Sequence, residues 1–219
     1  MSLLDQKADG FWRKVAALLG MGGDKAPVDS VAALEEFLAS RSAYVAQKTL
    51  YGYVKTRMGT RFAIMFDDKQ IIASLNIARF HVFAACLSDL TVYAVAVAFH
   101  GAPVGNDERA ALAQRLYAEA LRENAGEAPA QFSAQDCIDE FARRLGETDW
   151  QHAARQPDNF TRSPQALVRW APIADKLKKF DSEIVENSVK YAWRDIREQF
   201  NKRLDTAAVV ADRAARTAR

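Results

Sequence analysis

Apolar residues recur at three- and four-residue spacing along most of the chain, and glycine and proline fall between these stretches. That period belongs to helices with one buried face, so the pattern predicts an all-α helical bundle. Leu4, Ala8, Phe11, Val15 and Leu18 share one face of a first helix over 2–19. Its Gly10 costs roughly 1 kcal/mol relative to alanine. GMGGDKAP follows, and residues 20–29 read as a flexible linker, which makes the first helix a tethered amphipathic appendage. A helical domain is expected over 30–204, and residues 205–219 are expected to fray.

Inside that domain the second helix runs from a cap at Asp29 or Ser30 to Gly59. Its apolar side is Val31, Leu34, Leu38, Val45 and Tyr53. The third covers 69–99 behind an acidic cap at Asp67 or Asp68, about 45 Å at the usual helical rise. It is apolar on every side, a property shared by core helices and membrane spans. His81, Ser88, Asp89 and Thr91 interrupt it, and an aspartate at mid-span costs about 2.5–3.5 kcal/mol on insertion. Alanines at 84, 85, 94, 96 and 98 leave few large side chains to face lipid. The reading is therefore a long apolar central helix wrapped by protein.

A helix over 107–124, capped by Asn106 or Asp107, buries Leu112, Leu116, Tyr117 and Leu121. Another over 133–146 starts with Ser133 and Asp136 at capping-box spacing. Residues 147–172 look less regular. A last helix runs from Pro172 or Ile173 to Leu204, with one stripe of Ile173, Leu177, Phe180 and Ile184. Val185, Val189, Trp193, Ile196, Phe200 and Leu204 continue it on an adjacent face.

Charge and composition narrow the function classes. The net charge of +2 lacks the basic excess of a nucleic-acid binder, so no nucleic acid is expected as a partner. Cys86 and Cys137 are too few and too far apart for a disulfide framework and read as reduced thiols. Asp5 and Asp9 in the first turns, without a basic start and an unbroken apolar run, do not resemble a secretory signal, so the expected location is cytoplasmic.

Motifs for known chemistry are missing. The chain has no G-x-S-x-G elbow, no S-x-x-K, no phosphate or dinucleotide loop, no H-E-x-x-H and no C-x-x-C. No cofactor and no metal site are expected: His81, His100 and His152 stand apart from one another. Four features remain. TLYGYVKTRMGTRF at 49–62 sets Tyr51 and Tyr53 among Lys55, Arg57 and Arg61, a composition that grips anions or simply ends a helix. His81, Ser88 and Asp89 are polar groups within the apolar helix; Asp89 is either paired from another helix or a functional carboxylate facing a cavity. Trp150, His152, Phe160 and Trp170 form a binding loop or plug the end of the bundle. Phe11 and Trp12 on the first helix dock on a partner, on a membrane surface or back on the domain.

Across TLYGYVKTRMGTRF and SLNIARFHVFAACLSDL, residues 74–90, the chain resembles an uncharacterised family of bacterial helical proteins whose members are sometimes labelled esterase. The resemblance spans about 30–100 and implies a helical fold, but brings no catalytic residues with it. The expected function is a non-enzymatic binding protein, an assembly, adaptor or regulatory factor that meets a protein partner through 48–62 and the N-terminal helix. The alternatives are a hydrolase, with His81, Ser88 and Asp89 its candidates, and a carrier of a small apolar or anionic ligand. Peripheral membrane contact and the oligomeric state are left open.

Overall fold

The computed structural model describes residues 26–62, 67–126, 128–156 and 160–217. The expectations for the first helix, including Phe11 and Trp12, lie outside these residues. Among the described residues the helices are α1 (Val31–Met58), α2 (Lys69–Ala98), α3 (Asn106–Asn124), α4 (Ala134–Gly146), α5 (Trp150–Arg155), α6 (Arg162–Trp170), α7 (Asp175–Lys178), α8 (Ser182–Arg203) and α9 (Thr206–Thr217). A 3-10 turn, Gly59–Phe62, follows α1. No strand occurs among the described residues, and the molecule is an all-α bundle.

Local chemistry starts and stops these helices where short polar side chains meet free backbone groups. Ser30 Oγ accepts the Ala33 N–H at 3.2 Å, and Asp68 accepts those of Gln70 and Ile71 at 2.8 and 3.2 Å. Ser133 accepts from the Asp136 N–H at 3.1 Å. The cap of α3 is Gly105 rather than Asn106 or Asp107. Glu108 reaches back to the Gly105 N–H at 2.8 Å, which draws the helix start one residue earlier. Gly59 closes α1 at φ 54°, a backbone setting glycine adopts without strain.

Helix α2 is the core. It packs against α1, α3, α4, α5, α6 and α9. Among the described residues it is the one helix long and apolar enough to cross a membrane, and 83% of its most apolar stretch is buried inside the protein. Ala78, Ala84, Ala94, Ala96 and Ala98 are fully or almost fully buried on it, small enough for neighbouring backbones to approach closely. Val31, Leu34, Leu38 and Val45 of the expected α1 face are buried and Tyr53 is half-buried; the expected α3 face is buried, as are Val185, Val189, Trp193, Ile196 and Phe200 of α8.

Four expectations need correction. The linker does not extend to residue 29: Val28 is fully buried and pairs with the α8–α9 junction, its N–H donating to Arg203 O at 2.8 Å and its carbonyl accepting from Asp205 N at 2.9 Å. The tail does not fray through 205–217. Asp205 caps α9 at the Ala208 N–H, Val209 is fully buried, and Asp212 accepts the Val31 N–H at 2.8 Å, so α9 caps α1 from a distance. Residues 147–172 are more regular than expected, since they hold α5 and α6.

The predicted last helix is broken. Asp181 is drawn inward by the Arg57 guanidinium, with Nε at 2.6 Å, and by the Tyr53 hydroxyl at 2.7 Å, and the chain turns there before α8 begins. Asp181 and Val185 are one turn apart on the inward face, which leaves Phe180 and Ile184 rotated about 100° away. Most of the stripe expected to be buried therefore faces solvent: Leu177 is 44%, Phe180 78% and Ile184 65% exposed, while Ile173 packs partly buried against the core.

Candidate functional site

Helices α2, α4 and α6 meet around a buried carboxylate. Asp89 is 0% exposed on α2. Its Oδ1 accepts from Arg144 Nη1 of α4 at 2.8 Å and from the Arg162 N–H at 3.3 Å. Its Oδ2 accepts from the Ser163 N–H at 2.8 Å and the Ser163 hydroxyl at 2.7 Å. Trp193 Nε1 of α8 donates to the same Ser163 oxygen at 3.0 Å. Thr161, at the cap position of α6, makes no capping bond of its own. Asp89 takes that role from across the core and places a full negative charge at the helix's positive end. Of the two readings of Asp89, the structure gives the paired one: its oxygens are occupied by protein donors.

Beside this network a cleft of about 200 Å³ opens, lined by His81, Ala84, Ala85 and Ser88 of α2, Tyr117 of α3, Cys137, Glu140, Phe141 and Arg144 of α4, and Arg162, Gln165, Ala166, Arg169 and Trp170 of α6. It exists because α2 and α6 present alanines there, while Tyr117 and Phe141 stack at 4.1 Å and form a firm wall. Tyr117 donates its hydroxyl proton to the Ala84 carbonyl at 3.3 Å.

Three arginines, Arg144, Arg162 and Arg169, line the cleft. Arg144 also donates to Ser88 Oγ at 2.8 Å. Arg162 lies 3.6 Å from Glu140 in a partly exposed pair of small energetic weight. Arg169 sits over the Trp170 ring at 5.1 Å. On its other partner side, Trp170 stacks on His81 with ring centroids 3.5 Å apart and planes within 1° of parallel.

Three titratable groups here, Cys137, Tyr117 and His81, are shifted toward their neutral forms. Burial pushes the Cys137 thiol up to about 11, helped by Glu140 and Asp136. Burial also holds the Tyr117 phenol well above its usual range. The His81 imidazole is lowered, mainly by burial and further by Arg169, against the opposing pull of a bond to the Gln131 backbone. A lowered histidine binds its proton more weakly in the folded chain than in the unfolded one. Stability is then full above about pH 6.5 and falls as pH drops below it. His81→Phe, which keeps the stack on Trp170, is expected to flatten that acid limb in urea melts run from pH 7 to pH 5. An unchanged slope would assign the limb to other groups.

The sequence candidates thus separate. His81 and Ser88 line the cleft, and Asp89 lies behind Ser88. Ser88 takes its hydrogen bond from Arg144, and no nucleophile–base pair forms at the cleft among the described residues. Tyr51, Tyr53, Lys55 and Arg57 are elsewhere: Tyr53 and Arg57 hold Asp181, Tyr51 packs on the core, and Lys55 is exposed. Arg61 lies in the 3-10 turn after α1. Trp150 and Phe160 are buried and His152 is exposed, whereas Trp170 belongs to the cleft. Sequence reasoning missed Arg144, Arg162 and Arg169. Their one visible trace was the seven-residue spacing of Arg162 and Arg169, two turns apart on one helical face beside Trp170.

Among the described residues no group of histidine, cysteine or acidic side chains is arranged to hold a metal. Comparison with protein-family models, curated proteins and solved structures gave no match.

Proposed function

We propose that the protein is a non-enzymatic binding protein whose cleft between α2, α4 and α6 takes a small organic anion, a carboxylate or a phosphate. The observation that carries this reading is the convergence of Arg144, Arg162 and Arg169 on one small cavity. Arginine forks match carboxylate and phosphate oxygens, and their charges outnumber those of Asp89 and Glu140 at the site. The volume of about 200 Å³ is equivalent to roughly seven waters of liquid, which suits a compact ligand rather than a chain. Arg169 makes no ion pair with an acidic side chain among the described residues, and Arg162 exchanges a weak surface pair for the ligand. The hydrolase alternative has less support, because Ser88 accepts from an arginine and the Cys137 thiol stays protonated at neutral pH. The 48–62 segment loses weight as a partner surface, since Arg57 and Tyr53 are engaged inside the molecule.

Titration calorimetry with inorganic phosphate, succinate and benzoate tests the reading. Saturable binding of at least one is expected, weakened by added salt. Arg169→Ala, a change at an exposed residue, should weaken it about tenfold. Ala85→Met should abolish it by filling the floor. No saturable heat with any of the three, or binding indifferent to both substitutions, would sink the proposal.

A further inference from the structure

The cleft has two unlike ends. On α2, His81 and Ser88 are seven residues apart, two turns and about 10 Å along the axis. On α6, Arg162 and Arg169 repeat that spacing in the opposite direction. The Arg162 N–H meets Asp89 beside Ser88, while Trp170, next to Arg169, stacks on His81. Helix α4 adds Arg144 and Glu140 to the Ser88 end, Arg144 through Ser88 Oγ at 2.8 Å and Glu140 through Arg162 at 3.6 Å. Between the ends lie Ala85, Ala166 and the stacked rings of Tyr117 and Phe141.

Charge separates the ends further. At the Ser88 end each arginine has its own carboxylate, Arg144 with Asp89 at 2.8 Å and Arg162 with Glu140. At the His81 end Arg169 makes no ion pair with an acidic side chain among the described residues. The spare positive charge is therefore at Arg169, and a ligand carboxylate belongs there. The opposite end is balanced, and its accessible acceptor is Glu140, whose side chain is 60% exposed and whose pair with Arg162 is long. A second carboxylate there would face Glu140 without a spare cation, and an ammonium would stand as a third cation beside Arg144 and Arg162. A neutral hydroxyl meets Glu140 with neither cost. Resting on the anion-binding reading above, we propose that the ligand is a hydroxy-carboxylate with a short apolar body, its carboxylate on Arg169 and its hydroxyl donating to Glu140. The compact flat member of this class is para-hydroxybenzoate. Its polar ends lie about 7 Å apart, which with a hydrogen bond at each end suits the spacing of the two poles, and its ring lies along the alanines.

The test is titration calorimetry on the full chain at neutral pH with benzoate, para-hydroxybenzoate, terephthalate and inorganic phosphate. Para-hydroxybenzoate should bind about tenfold tighter than benzoate, and terephthalate, with a carboxylate in place of the hydroxyl, should bind no tighter than benzoate. Glu140 is exposed on α4, so Glu140→Ala leaves the packing in place. It should bring benzoate and para-hydroxybenzoate within about twofold of each other. Arg169→Ala should weaken both acids alike and keep their ratio. Equal affinity for the two acids in the parent chain, or a preference that survives Glu140→Ala, would overturn this proposal and leave the anion cleft standing. Phosphate binding without either aromatic acid would do the same. No saturable binding of any of the four would take down both readings.

Discussion

Asp89→Ala is expected to cost about 3–5 kcal/mol, the usual loss when one partner of a buried ion pair is removed. The substitution acts in three places at once. Arg144 keeps a mostly buried charge with only Ser88 and its remaining contacts to answer it. The first N–H groups of α6 lose their acceptor. The Ser163 hydroxyl, 1% exposed as a residue, loses the carboxylate it donates to. For a domain with total stability of about 5–15 kcal/mol this is a large share, and thermal melting should drop by on the order of 10 °C. Asp89→Asn keeps the shape and one acceptor oxygen and should fall between. Thermal and urea melts within about 1 kcal/mol of the parent for Asp89→Ala would contradict the account.

Trp193→Ala should be comparably damaging, about 3–5 kcal/mol, because it empties one of the largest fully buried side-chain volumes in the molecule. Its indole packs on Phe160 at 4.7 Å and donates to Ser163. Trp193→Phe separates the two contributions: most packing survives, and the lost hydrogen bond costs about 1 kcal/mol. Since Ser163 links Trp193 to Asp89, the two substitutions should not add. A double-mutant cycle of Trp193→Phe with Ser163→Ala should show a coupling of about 0.5 kcal/mol or more, and strict additivity would mean the chain of bonds does not act as a unit.

The break before α8 shows where periodicity misleads. Ile173, Leu177, Phe180 and Ile184 have helical spacing and read as one buried stripe. Spacing alone reports a shared face and not which way that face points. Arg57 and Tyr53, more than a hundred residues earlier in the chain, pull Asp181 inward and turn the stripe out. The tail shows the converse. Its composition suggests fraying, yet the Asp205 N–H donates to Val28 O, Asp212 accepts the Val31 N–H, and Val209 is buried in the core.

The sequence by itself determined the first four described helices, α1 to α4, the caps at Ser30, Asp68 and Ser133, and the central place of residues 69–98. These follow from hydrogen bonds and side-chain periods confined to a few neighbouring residues, together with a helix too apolar to lie at a surface. Tertiary packing alone decided that Asp89 caps α6 across 74 residues, that Asp212 caps α1 across 181, and that three arginines share one cleft. Such meetings depend on which helical faces bury against α2, and no local spacing encodes that choice. The donors and acceptors were legible in the chain; their pairing came from the core that forced them together.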